Sequence, residues 1–246
     1  GLTLYFERER RPPSAAFSYY LCYMLGLGNS LNRGGGSAAA LLLDMYTGAA
    51  AAYSLRLLNT SYAGSAIRVR KPSNNSEQDI GFSSGGLDTA SMLTFLEDED
   101  GFVVKWYDQS GNGDDAVQAT TASQPKIVSS GVVIVENGKP AVEFDGGADY
   151  FSAAVTFQNA VTVLLVFNQN SSSYILDAQS PNRLAIGNVT NSVDFQAYVS
   201  TAISSTSSAF NQQNLGFVLA DTTNSLTALN GGTAGTGNSG AAANSS

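Results

Sequence analysis

The stretch that decides the fold is FVVKWYDQSGNGDDAVQ, residues 102–118. Five of its first six residues are β-branched or aromatic, a run short and bounded by turn signals as in a strand. The next eight crowd aspartates, glycines, a serine and an asparagine into what must be either a turn or a site. Asp108, Ser110, Asn112 and Asp114 alternate and Gly113 stands sixth, which imitates the first half of a calcium loop. The twelfth position is Ala119 and not a bidentate glutamate, so Asp108, Asn112 and Asp114 are weak metal candidates. The reading that fits best is a tight turn in which Gly111 and Gly113 supply positive φ while Asp108 and Asn112 bond nearby amides.

Downstream of this stretch the pattern repeats. TVLLVF, YILDA, RLAIG, SVDFQAYV and LGFVLA follow PKIV, VVIVE and PAVEF, separated by Glu-Asn-Gly-Lys, Asp-Gly-Gly and similar turn signals. Short strands at this spacing, with no helices between them, predict a mainly β sandwich or jelly roll. Upstream, Leu41, Leu42, Met45, Ala49, Ala52 and Leu55 recur at three- and four-residue spacing, with Tyr53 and Leu57 flanking, and predict a helix over Asp44–Leu58 packed outside the sandwich. SAIRVR (65–70) reads as a strand ending before Pro72, and Leu87–Leu96 as a short helix capped by Asp88.

Three segments are expected. Residues 1–40 form an unstructured or weakly ordered arm ending in a Gly/Ser linker, 41–230 the sandwich, and 231–246 a low-complexity tail of the kind a truncated chain would show. Met24 is the expected native start, with a leader or a structural arm as alternatives for residues 1–23.

The composition narrows the function. The chain has 246 residues, 13% of them charged, and a net charge of −8 with no Lys/Arg cluster downstream of Arg70-Lys71, which argues against nucleic acid as a partner. It contains no histidine, which removes Ser-His-Asp and Cys-His nucleophile systems and His-ligated zinc. Cys22 has no second cysteine to pair with, and no apolar run is long enough to span a membrane. No cofactor is expected.

Beyond these readings the sequence resembles the catalytic domain of α-L-arabinofuranosidase B. The resemblance rests on AAAAYSLRLL (49–58), AGSAIRVRK (63–71), DIGF and GGLDTASML within 79–93, WYDQSGNGDDAVQA (106–119), NGKPAVEFDG (137–146) and Asp149-Tyr150, in that order. It implies a concanavalin-A-like jelly-roll sandwich with one or two peripheral helices near the N-terminus. Similar segments occur in phage tail and virion-surface proteins. It also implies a polysaccharide or cell-surface glycan as partner, other virion proteins in the second setting, and a location outside the cell or on a virion surface.

In that family a strand carries an Asp-x-Glu-Asn run whose glutamate is the nucleophile, and a later loop carries the acid/base aspartate. Here the matching run is Val193-Asp194-Phe195-Gln196-Ala197. Gln196 stands where the nucleophile is expected, and an amide cannot form the glycosyl-enzyme ester of a retaining enzyme. After Glu143 no glutamate occurs, and the remaining carboxylates are Asp145, Asp149, Asp177, Asp194 and Asp221. The acid/base aspartate has no counterpart, and neither does the family's adjacent-cysteine pair, near Tyr174-Ile175. The resemblance therefore implies a catalytically silent glycan-associated module with Asp177, Asp194, Gln196 and Tyr198 as sugar contacts. Its alternatives are a structural or adhesive virion domain and an active arabinofuranosidase. Trp106 is expected in the core, and Tyr174 and Tyr198 are the candidate stacking platforms.

Overall fold

The computed structural model describes residues 4–8 (by their backbone), 40–156, 160–171, 173–178, 184–187, 195–198, 202–205, 212–221 and 224–237. In chain order the strands are β1 (Leu4–Arg8), β2 (Ala49–Tyr53), β3 (Ile67–Arg70), β4 (Glu77–Ile80), β5 (Phe82–Ser83), β6 (Gly86–Leu87), β7 (Gly101–Trp106), β8 (Ala116–Val117), β9 (Lys126–Ser129) and β10 (Val132–Val133). They continue with β11 (Val135–Glu136), β12 (Lys139–Pro140), β13 (Val161–Asn168), β14 (Tyr174–Asp177), β15 (Ala185–Gly187), β16 (Gln196–Tyr198), β17 (Ala202–Ser204), β18 (Gln213–Ala220), β19 (Ser225–Leu229) and β20 (Gly235–Gly237). Two short helices, α1 (Leu42–Met45) and α2 (Thr89–Leu96), lie among the early strands.

One layer is the sheet β2-β1-β13-β18-β19-β20. Facing it are the sheet β10-β9-β7-β3-β4, with β8 on β7, and the four-stranded sheet β14-β15-β16-β17. Period-two alternation explains the packing. Val161, Val163, Leu165 and Phe167 of β13, with Val218 and Ala220 of β18, point into a core shared with Ile67, Val69, Val103 and Ile127 of one facing sheet. The same core takes Leu184, Ile186, Phe195 and Ala197 from the other. The intervening residues Leu164, Phe217 and Ala228 cover the opposite face, under Leu43 and Leu58. This is the mainly β sandwich that the strand spacing and the resemblance implied.

Two expectations from the sequence give way. The predicted Asp44–Leu58 helix is a single turn, Leu42–Met45, followed by β2, in which all five residues are buried. A strand closed on both faces shows no alternation, and alanines fit a helical stripe as well as a strand. The second concerns the arm. Residues 4–8 do not lie outside the sandwich: β1 runs antiparallel between β2 and β13, with Leu4 opposite Leu165 and Arg8 opposite Val161. Helix α2 forms where expected, with the Asp88 carboxylate accepting from the Ser91 N–H at 3.1 Å.

Candidate functional site

The four-stranded sheet collects the expected sugar contacts. Leu176, Ile186, Ala197 and Ile203 pair in one row, and Ile186 and Ala197 are core residues. Partners in an antiparallel ladder share a face, so the neighbouring rows turn outward. One outer row is Asp177, Ala185, Tyr198 and Ala202; the other is Tyr174, Gly187, Gln196 and Ser204. Asp177, Gln196 and Tyr198 thus lie on one face, joined by Tyr174. Asp194 lies outside the described residues.

Gly187 keeps this face open in one place. Its φ is +144°, and a Cβ there would run into the Ser173 carbonyl oxygen and come within 3.0 Å of Ile175 N. Only glycine fits, so no side chain separates Tyr174 from Gln196. Tyr174 is 45% exposed and Asp177 is exposed, whereas Gln196 keeps 5% exposure and donates from Nε2 to Ser204 Oγ at 2.9 Å. Gln196 therefore points away from the core yet is closed off from water. Ser204 and Gly187 had no signal in the sequence, because only the strand register brings them to Gln196. Two concavities stand out, of about 350 Å³ beside Asn224, Ser225, Leu226, Thr236 and Gly237, and about 160 Å³ beside Leu43, Tyr46, Gly48, Asn59 and Ser110. Neither is lined by the outer-face residues.

The loop after β7 is spent on structure. Asp108 is buried, and its carboxylate accepts from Ala52 N–H (2.8 Å), Ser110 N–H (2.8 Å), the Ser110 hydroxyl (2.5 Å) and Asp114 N–H (3.3 Å). The Gln109 side chain accepts from Leu58 N–H at 2.8 Å and donates to the carbonyls of Ser54 (3.0 Å) and Arg56 (2.9 Å). Its backbone N–H reaches Ala52 O at 2.8 Å, and Asn112 Nδ2 donates to the carbonyls of Ala49 (2.9 Å) and Ala50 (2.8 Å). The loop thus meets the outer side of β2, the last strand of its sheet. This is the turn reading, with both carboxylate oxygens of Asp108 and the Asn112 amide engaged. No group of three or more His, Cys, Asp or Glu suited to a metal occurs among the described residues.

Electrostatics around the loop follow from burial and crowding. Burial, and then the neighbouring charges of Asp108 and Asp115, raise the Asp114 carboxyl above its usual range. The Tyr53 hydroxyl, which donates to the Asp114 carbonyl, is pushed up first by burial and then by Asp108, Asp114 and Asp115. Burial and the hydrogen bond to Asp79 at 2.7 Å push Tyr107 up to about 12. Trp106 is 1% exposed and packs between Tyr53 and Phe151, so it is a core residue.

Comparison with known proteins agrees with this architecture. No curated protein sequence matches the chain. Three solved structures share 19% identity at a TM-score of 0.60: a GH54 α-L-arabinofuranosidase soaked with a cyclic sulfate inhibitor, an arabinofuranosidase complexed with arabinofuranosyl-α-1,2-xylobiose, and a glutamate-to-glutamine mutant of a GH54 enzyme soaked with 4-nitrophenyl α-L-arabinofuranoside. Each match covers 81% of this chain and 52% of the other, so the chain spans about half the length of these structures. The described residues contain no helix long and apolar enough to cross a membrane. The model of the family described as "Alpha-L-arabinofuranosidase B, catalytic" matches residues 43–199, well over half of the chain, and the chain belongs to that family.

Proposed function

We propose that the chain is a catalytically silent, glycan-associated β-sandwich module of the α-L-arabinofuranosidase B family. The observation that carries this reading is Gln196. It sits on the outer face of the four-stranded sheet at the position matched to the nucleophilic glutamate, bonded to Ser204 and nearly closed to water. A carboxamide cannot attack the anomeric carbon to form the glycosyl-enzyme ester of a retaining enzyme. Asp177, Asp194 and Tyr198 supply hydrogen bonds to the sugar and Tyr174 an apolar ring. Gln196, nearly closed to water and bonded to Ser204, stands behind them; as a direct sugar contact it would need the face to open. The solved relative bound to an arabinofuranosyl xylobiose supports an arabinose-decorated glycan as the ligand class. The low share of charged residues, 13%, supports a place outside the cell or on a virion surface, where other virion proteins would be the neighbours.

The test is turnover of 4-nitrophenyl α-L-arabinofuranoside by the purified chain. No release of nitrophenolate above the uncatalysed rate is expected, from the chain itself or from Gln196→Glu, because retention needs two carboxylates about 5–5.5 Å apart. Measurable turnover by the unaltered chain would overturn the silent reading and assign the pair among the aspartates.

A further inference from the structure

The sequence holds three Asn-Gly pairs, Asn112-Gly113, Asn137-Gly138 and Asn230-Gly231. Asn-Gly is the dipeptide most open to intramolecular attack on the side-chain amide, because glycine places no side chain beside its own backbone nitrogen. The dipeptide alone does not choose among the three. What holds each asparagine does.

Asn112 and Asn230 are pinned. Asn112 Nδ2 donates to the carbonyls of Ala49 (2.9 Å) and Ala50 (2.8 Å). Asn230 is gripped at both ends of its amide: Oδ1 accepts from the Leu215 N–H at 2.8 Å and Nδ2 donates to Asn214 Oδ1 at 2.9 Å. Its backbone N–H also reaches Leu215 O at 2.9 Å, and Asn214 is buried, so the grip is anchored in the sandwich. The Asn137 side chain makes a single hydrogen bond among the described residues, from Nδ2 to Oε1 of the exposed Gln213 at 3.2 Å.

Backbone conformation is not the difference. Asn137 and Gly138 have φ of 49° and 72°, Asn230 and Gly231 of 52° and 71°, so both pairs carry the same left-handed values. Their settings differ. Asn137-Gly138 joins β11 to β12, a separate two-stranded sheet with only two residue pairs, Val135 with Pro140 and Glu136 with Lys139. So short a ribbon is marginal by itself and opens at small cost. At its base the Ala141 N–H bonds the Ile134 carbonyl and the Ile134 N–H the Ile127 carbonyl, each at 2.9 Å, so the tip can open without unfolding the sandwich. Asn137, Gly138 and Lys139 are all exposed, and water reaches them.

We propose that Asn137 is a site of spontaneous modification, at which the folded chain deamidates and frays the β11–β12 hairpin. The inference does not depend on the glycan-associated reading. The Gly138 nitrogen attacks Asn137 Cγ and gives up its proton through water to the leaving group; the N–Cγ bond forms, the Cγ–Nδ2 bond breaks and ammonia departs. Water then opens the resulting succinimide at either carbonyl. One water is consumed and one ammonia released, with no change of oxidation state. The product is an aspartyl residue or an isoaspartyl one, in which the main chain runs through Cβ and Cγ. Either product adds a negative charge next to Glu136. The isoaspartyl form also lengthens by one carbon a turn of only two residues, which then cannot keep both pairs in register.

The test incubates the full chain in mildly alkaline buffer, folded or in urea, and follows conversion at each pair by peptide mass spectrometry. In the folded chain Asn137 should convert at least about tenfold faster than Asn112 or Asn230, whose two good hydrogen bonds must break first. In urea the three should convert at similar rates. A folded-state rate at Asn137 no faster than at Asn112 or Asn230 would overturn the inference. So would a preference for Asn137 that persists unchanged in urea, because the neighbouring sequence and not the fold would then be choosing it. The isoaspartyl fraction, separated by anion exchange, should show faster amide hydrogen exchange over residues 135–139; exchange equal to that of the unmodified chain would overturn the effect on the hairpin.

Discussion

Replacing Asp108 by alanine tests whether the loop after β7 holds the sandwich together. The substitution removes the acceptor of four hydrogen bonds, two of them 2.8 Å bonds from the N–H groups of Ala52 and Ser110. The Ala52 amide belongs to a strand with no exposed residue, so it is left unpaired away from water. An orphaned buried donor costs about 1–3 kcal/mol, and each bond to a charged acceptor contributes about 1.5–3 kcal/mol. Removing a buried carboxylate returns some desolvation energy, and water can reach Ser110. The net loss is about 3–4 kcal/mol, a large share of the usual total of about 5–15. Asp108→Asn keeps one oxygen for Ala52 and Ser110 and should cost about half as much. Urea unfolding followed by fluorescence of Trp106, the single tryptophan and a core residue two positions away, reports directly on this region. With a slope of about 3 kcal/mol per molar, the Asp108→Ala midpoint should fall by about 1 M. A fall below about 0.3 M would refute the reasoning. Equal loss in Asp108→Asn would show that charge, and not the hydrogen bonds, is what matters.

Two further outcomes are expected. Gly216→Ala places a Cβ 2.6 Å from Phe195 Cζ and 3.2 Å from Phe167, so the stacked pair must part; a loss of about 1–3 kcal/mol by urea unfolding is expected, and an unchanged midpoint would show that Phe195 swings freely. Acid should weaken the fold partly through Asp100, whose carboxyl is held below its usual range first by Lys126 and then by the Ser130 amide. A lowered folded value stabilises fully above the unfolded value of about 3.9 and loses that contribution as pH falls through the folded one. The melting-temperature gap between the chain and Asp100→Asn should therefore be constant above about pH 5 and close toward pH 2; a gap that persists at pH 2 would contradict this assignment.

Legibility in the sequence followed the physics of each element. Strands with one buried face, such as β7, announce themselves by alternation, and the Asp88 cap is a local bond between residues three apart. Strand β2 was hidden because all five of its residues are buried and four are alanine. Strand β1 was hidden because its place in the sheet depends on partners more than 40 residues away, β2 and β13. The loop's turn chemistry was readable, but its targets were not. Gln109 reaches 51 residues back to Leu58, a separation that no local pattern encodes. At the candidate site, composition alone removed the histidine-dependent chemistries. Gln196 was singled out only through the family motif, while its burial and its bond to Ser204 depend on register.

The loop's contacts with β2 bear on how the protein avoids sticking to itself. A terminal strand of four alanines and a tyrosine, buried and without charge, is a template on which another chain could dock edge to edge. Sheets usually guard such edges with lysine, proline or a bulge. Here the side chains of Asp108, Gln109 and Asn112, with the Gln109 amide, occupy the groups that a foreign strand would seek along β2 and just beyond it. Damage to this loop would therefore expose an adhesive edge as well as weaken a fold, and its cost would grow with protein concentration. A chain present at high local concentration gains most from an edge sealed within its own structure.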